Sequence, residues 1–290
     1  ILYASILNTD TPSIVASHLP VGWRHERPMH QHTAVSVPIP TRTDTSSAGL
    51  NQHLDDFFAS ETTRNISLPQ PADDSRPFDI IILSVCSLGW DDLQLANLGE
   101  HPLFSVFDIV FDNFNSATSY SGPALIRLLN GSCGQRPHDG LFDQSTPRSC
   151  QLFTQLSAIG FSPVLLMNHD GQFDGFLTQL QRFGGLNTEL ASLNGLPVAQ
   201  KSFDGTPIYD DIAVLRRWQQ ARHQQDGPQA VLFNTVSLHD GNRAIGSKAS
   251  GLASYQQRSI TLLDQLTQFI RALENDEKKI LLLLVPEHGA

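Results

Sequence analysis

"FDIIILSVC", residues 78–86, is a strand-length run of β-branched and leucine residues that ends on a cysteine. Such a run has no polar face to offer water, so it reads as a strand covered on both sides. The same pattern recurs in "FDIVFDNF" (107–114), "SPVLLMNHD" (162–170), "AVLFNTVSLHD" (230–240) and "KKILLLLVPEHG" (278–289). Between these runs the apolar spacing becomes helical, at 121–129, 151–159, 175–183, 209–222 and 255–273. Strands alternating with helices predict an α/β fold, with a mainly parallel sheet sandwiched by helices. There is no internal repeat and no Gly-x-Gly-x-x-Gly fingerprint.

Composition narrows the possible partners. The 290 residues are 40% hydrophobic and 17% charged, as expected of a folded chain. A net charge of −10 without clustered Lys and Arg excludes nucleic acid as a partner. The longest apolar run, "ILLLLV" at 280–285, is far short of the roughly 20 residues of a membrane span. The opening "ILYASILNTDTPS" lacks the basic start and apolar core of a signal peptide, so the chain is expected to be soluble.

Residues 1–70 are rich in Ser, Thr, Pro, His and Asn and read as a linker. Within it, "LNQHLDDFFASETT" (50–63) places Leu50, Leu54, Phe57 and Phe58 on one helical face, for docking on the domain or lying near a membrane. Residues 71–290 then form the main domain. Of the three cysteines, Cys133 and Cys150 flank a Gly/Pro/Ser-rich stretch. They are either two separate thiols or a bridge worth roughly 3 kcal/mol, and a bridge favours an oxidising compartment.

In a sheet of this kind ligands bind beyond the carboxyl ends of the strands. Those ends carry Cys86, then Asn168, His169 and Asp170, then His239 and Asp240, and finally Glu287 and His288. Ser121 opens the helix that follows 107–114, inside "SATSYSGPALIRLL" (116–129). Each has an ordinary reading: a buried small thiol, structural histidines, a solvated turn, and an N-cap ahead of Pro123. Jointly, sulfur, imidazole and carboxylate make a zinc donor set. A serine facing it at a helix N-terminus suits attack on a phosphate.

The stretches "FDIIILSVCSLGWDDL", "FDIVFDNFNSATSYSGPALIRLL", "FDGTPIYDD", "SLHDGNR" and "VPEHGA" resemble the cellulose phosphoethanolamine transferases of enterobacterial cellulose secretion. Those enzymes belong to the zinc-dependent, alkaline-phosphatase-like superfamily. The resemblance runs from about residue 78 to 290. It implies a periplasmic catalytic domain of an inner-membrane protein, working beside cellulose synthase subunits. Phosphatidylethanolamine would be the donor, cellulose glucose hydroxyls the acceptor, and a phospho-serine the intermediate. It further implies zinc (Zn2+) held by Cys86, Ser121, Glu287 and His288, with Tyr120 and His239 assisting and Cys133 bonded to Cys150. Asn115, His169, Asp210, Asp211 and Arg243 are candidate substrate contacts, the two aspartates for the ethanolamine ammonium. Family members continue past Ala290, so the domain is expected to lack its C-terminal part. The competing readings are a phosphodiesterase or phosphatase of the same superfamily, and a non-catalytic subunit of the synthase complex.

Overall fold

The parallel strands follow from their composition. In Phe78–Val85 (β2), Ile81, Leu83 and Val85 point to one face of the sheet and Ile82 to the other, as the two-residue period of a strand requires. The computed structural model describes residues 3–7, 46–70, 77–116, 118–143 and 146–290. The other strands of the large sheet are Tyr3–Leu7 (β1), Ile109–Val110 (β3), Ser162–Met167 (β4), Gln229–Thr235 (β7) and Lys279–Pro286 (β9). A second, three-stranded sheet holds Val198–Lys201 (β5), Pro207–Tyr209 (β6) and Arg243–Ala244 (β8), all antiparallel. The large sheet has the order β3-β1-β9-β2-β7-β4. β9, β2, β7 and β4 are mutually parallel, while β1 runs antiparallel to β9 and β3.

Helices cover both faces. They are Ser47–Glu61 (α1), Trp90–Leu95 (α2), Ser121–Leu129 (α3), Gly140–Asp143 (α4), Leu152–Ala158 (α5), Phe176–Gly184 (α6), Asp211–Arg222 (α7) and Gly251–Glu274 (α8). On one face Leu215 and Trp218 of α7 and Leu263, Leu266 and Phe269 of α8 pack on Ile81, Leu83, Phe233 and Leu282. On the other, Leu125 and Leu129 of α3, Phe153 of α5 and Leu180 of α6 pack on Ile82, Leu165 and Leu232. Each of these side chains, once removed from water, contributes about 1.5–3 kcal/mol. At the amino end of β2, Asp79 forms a buried ion pair with Arg222 (2.7 Å) and accepts from the Gln229 N–H (2.7 Å). The carboxyl ends of the same strands carry the polar side chains of the site.

Two expectations change. The stretch 107–114 is a strand only over Ile109–Val110, half-buried at the sheet edge, because Asp108 and Asp112 keep it in water. The N-terminal stretch expected to be linker supplies β1, inserted between β3 and β9, although residues 8–45 lie outside the described residues. The expected helix spans Ser47–Glu61, capped by Ser46 accepting from the Gly49 N–H (3.1 Å). Its apolar residues Leu50, Leu54 and Phe57 are exposed, and contact with the domain is made by its last turn. There Glu61, 5% exposed, accepts from Arg64 and from the Gln135 N–H, both at 2.8 Å. Gly134 lies flat against that turn, where a Cβ would overlap the Glu61 carbonyl.

Candidate active site

Four short segments converge at the carboxyl ends of the parallel strands. Cys86 follows β2, and its N–H donates to the Thr235 carbonyl (3.0 Å). Ser87 then adopts φ 56°, a left-handed conformation uncommon for a residue with a side chain, and turns the chain away from the sheet. The Tyr255 hydroxyl of α8 holds that turn by donating to the Ser87 carbonyl (2.9 Å). Glu287 and His288 follow β9, tied to the turn by Glu287 N–H to the Val85 carbonyl (2.9 Å) and Leu88 N–H to the His288 carbonyl (2.8 Å).

Ser121 is the first residue of α3. The cap position belongs to Tyr120, whose extended backbone makes no side-chain capping bond. The Ser121 hydroxyl therefore does not cap the helix. Its Oγ donates to Cys86 Sγ (3.4 Å) and lies 3.2 Å from His288 Nε2. Cys86 Sγ is 3.5 Å from the same nitrogen. His288 Nδ1 lies 2.6 Å from the Gly289 carbonyl, which can only accept, so Nδ1 carries the proton and Nε2 presents a lone pair.

These atoms form a group suited to a cation. One ligand atom each from Cys86, Glu287 and His288 lies within 4.8 Å of the other two. Tetrahedral zinc with bonds of about 2.0–2.3 Å separates its ligands by about 3.3–3.8 Å, close to the spacing of Sγ, Oγ and Nε2. Glu287 Oε1 accepts from Ser84 Oγ (2.8 Å) and from Asn234 Nδ2, while its Oε2 is buried without a partner. An unpartnered buried carboxylate oxygen facing a thiol and an imidazole costs free energy unless a cation meets it. Burial, with the neighbouring Glu287 charge, pushes the Cys86 thiol up to about 12, and burial likewise raises the Glu287 carboxyl. A bound cation reverses both directions by stabilising thiolate and carboxylate. An Nδ1–H on a backbone carbonyl, as in His288, is the outer support usual for a histidine that offers Nε2 to a metal.

Asn234 is the residue that sequence reasoning overlooked. It lies on β7 directly opposite Ser84 of β2, so both side chains reach the same carboxylate. Its Oδ1 accepts from His169 Nε2 (2.8 Å), and His169 Nδ1 in turn accepts from the Gly171 N–H (3.2 Å). Burial lowers the His169 pKa and keeps the ring neutral. His169, a candidate substrate contact from sequence, thus supports Glu287 through Asn234. The signal for Asn234 and Ser84 was present: each is a polar residue that interrupts the apolar stretch near the carboxyl end of its strand.

The remaining candidates separate. Asp210 and Asp211, expected to meet an ammonium, are already engaged. Asp210 caps α7 through the Ala213 N–H (3.0 Å) and accepts from Gln265 (2.8 Å). Asp211 is enclosed by Asn168 and Ser237, and burial raises its pKa to about 6. Arg243 is exposed on the small sheet, opposite Lys201. Tyr120 is 71% exposed beside Ser121. Asn115 lines two clefts that flank the Glu287–His288 pair, of about 290 Å3 on the Glu287 side and 390 Å3 on the His288 side. His239 donates from Nδ1 to the Asp240 carbonyl (2.8 Å), which leaves Nε2 basic. Cys133 and Cys150 form a disulfide that joins the loop after α3 to the start of α5.

A profile of the family described as cellulose biosynthesis protein BcsG C-terminal domain matches residues 36–290. The cellulose biosynthesis protein BcsG of Escherichia coli (strain K12) is 44% identical over 256 residues, covering 87% of this chain and 45% of that protein. The chain therefore spans about half the length of this curated relative. A protein of the alkaline phosphatase superfamily from Vibrio parahaemolyticus superposes with TM-score 0.55 at 13% identity, covering 83% of this chain and 64% of that one. The soluble domain of lipooligosaccharide phosphoethanolamine transferase A from Neisseria meningitidis gives 0.50 at 13% identity, over 78% and 71%. At such identities the two structures establish a shared alkaline-phosphatase-like fold.

Proposed function

The chain belongs to the family of BcsG C-terminal domains, and from that premise we propose that it transfers phosphoethanolamine from phosphatidylethanolamine to glucose hydroxyls of cellulose. The observation that carries this reading is the placement of Ser121 Oγ, 3.4 Å from Cys86 Sγ and 3.2 Å from His288 Nε2, at the first turn of α3. A hydroxyl with no capping role, set against a cation-binding group and a helix N-terminus, is arranged as a nucleophile toward phosphorus.

Cys86, Glu287, His288 and Ser121 would hold zinc. When bound, zinc supplies positive charge that lowers the pKa of the Ser121 hydroxyl and balances charge on the phosphoryl oxygens. Ser121 Oγ forms a bond to phosphorus as the bond to the diacylglycerol oxygen breaks. The proton that Ser121 gives up on attack is taken up by the His239 Nε2 lone pair and delivered from there to the leaving oxygen. A glucose hydroxyl then attacks the phosphoethanolamine-serine as the bond between phosphorus and Ser121 Oγ breaks, and its proton passes through His239 Nε2 to Ser121 Oγ. The free N–H groups at the start of α3 orient the phosphoryl group throughout. The disulfide agrees with a periplasmic location, and among the described residues no helix is long and apolar enough to cross a membrane.

Incubation with a chromogenic phosphoethanolamine ester tests the scheme. Intact mass should gain one phosphoethanolamine on Ser121, and Ser121→Ala and Cys86→Ala should abolish turnover. Turnover that survives Ser121→Ala refutes it. Transfer to water alone, with none to cello-oligosaccharides, would instead identify a phosphodiesterase.

A further inference from the structure

We propose that the exposed aromatic face formed by Phe173, Phe203 and His239 seats the glucosyl rings of the acceptor glucan, an inference that rests on the transferase reading above. Phe173 and Phe203 are 61% and 52% exposed and adjoin each other, so they form a contiguous apolar patch. They meet edge to face, with centroids 5.2 Å apart at 85°. Phe203 stacks on His239 at 5.5 Å and 25°. Phe203 is seated from below by Gly241 (φ 78°), where an added Cβ would come within 2.9 Å of the Phe203 Cβ. Phe173 is presented by a turn with left-handed backbone at Gly171, Asp174 and Gly175. Strain at a non-glycine position such as Asp174 persists only where the surroundings hold it.

The face is tied to the helix that carries the nucleophile. Gly122, next to Ser121, lies so near Gln179 that a Cβ would be 3.2 Å from its Oε1. Gln179 Nε2 donates to the Asp174 carbonyl (2.6 Å), one residue beyond Phe173. Contacts therefore run from Gly122, the neighbour of Ser121, through Gln179 to the backbone beside Phe173, and from Phe173 across Phe203 to His239. The two ends of that path are the helix that carries Ser121 and the imidazole to which the transfer scheme assigns the proton.

The chemistry of the rim selects the occupant. Asp170, Asp174, Asp204 and Asp240 are exposed around the rings, against Lys201 and Arg243 on the neighbouring small sheet. A patch that enters a lipid surface carries a basic surround, whereas this one is acidic. A β-linked glucan offers what the patch can bind: flat C–H faces for the rings and equatorial hydroxyls that donate to carboxylates.

The test is electrophoresis of the whole chain through native gels containing hydroxyethylcellulose, beside flotation with phosphatidylethanolamine/phosphatidylglycerol vesicles. The wild type should be retarded by the glucan. Phe173→Ala/Phe203→Ala should weaken that affinity about tenfold or more, while Phe203→Tyr, which keeps the ring, should stay within about twofold. Ser121→Ala should remain retarded, since the hydroxyl is not in the platform. Equal retardation of the double variant and the wild type, or no retardation of the wild type, overturns the proposal. So does loss of vesicle flotation with unchanged retardation, which would assign the face to lipid. Phosphoethanolamine loading of wild-type Ser121, read by mass, reports separately on the transferase reading.

Discussion

Replacing Asn234 by alanine isolates the support beneath the candidate metal centre. The side chain is fully buried and serves two partners at once, accepting from His169 Nε2 and donating to Glu287 Oε1. Alanine leaves the His169 N–H unpaired, a cost of about 1–3 kcal/mol. It also opens a void, so the total loss of stability in metal-free protein should be about 2–4 kcal/mol. Glu287 keeps its bond from Ser84, so the carboxylate stays near the site but loses its orientation. Loss of one such outer partner weakens zinc affinity by about ten- to a hundredfold. Zinc competition against a chromogenic chelator measures the second quantity, and urea unfolding in the presence of chelator measures the first. Ser84→Ala should weaken zinc less, because Asn234 still holds the carboxylate. If Asn234→Ala destabilises the fold but binds zinc within about threefold of the wild type, the His169–Asn234–Glu287 relay is a packing feature and the reasoning fails.

Two further outcomes follow from single contacts. Gly134→Ala should drive the last turn of α1 from its seat, since the new methyl meets the Glu61 carbonyl backbone. Hydrogen exchange of α1 should rise while that of α3 stays unchanged, and unaltered α1 protection would contradict the packing described. Asp211 should titrate near the value of about 6 that burial imposes, against about 3.9 in an unfolded chain. Because the folded pKa is raised, its contribution to stability is full below about pH 3.9 and is lost as pH rises through about 6. The loss amounts to roughly 3 kcal/mol. A carboxyl-carbon NMR midpoint below about 4.5 would refute it.

What could be read from the chain depended on how local the determining forces are. β2, β4, β7 and β9 announce themselves because strands covered on both faces need unbroken apolar runs. α3, α5 and α7 keep close to the predicted bounds because each shows an apolar period on a short segment, and in α7 the Asp210 cap also fixes the start. The small sheet of β5, β6 and β8 was not legible, since strands of two to four residues have no period to detect. β1 likewise depends on partners distant in sequence. In the site, Cys86, Glu287 and His288 stand out as polar residues just past strand ends. The part played by Asn234 depends on the register Ser84↔Asn234, a property of assembled strands. Asp210 and Asp211, taken as contacts for the ethanolamine ammonium, are engaged instead in the cap of α7 and a buried network, partners that only the assembled fold supplies.

β9, near the C-terminal end of the described chain, lies in the middle of the large sheet, between β1 and β2. A ribosome delivers β2 long before the neighbour that completes one of its edges. Until that neighbour arrives, an emerging chain exposes a bare row of backbone donors and acceptors flanked by isoleucine and leucine, which invites pairing with other copies. Closing the gap means joining partners separated by most of the sequence, a slow search. The residues grouped so as to suit a cation come from both sides of that gap, Cys86 from the early strand and Glu287–His288 from the late one. Metal capture would therefore require the late strand to be threaded beside the early one, and would lock it in place.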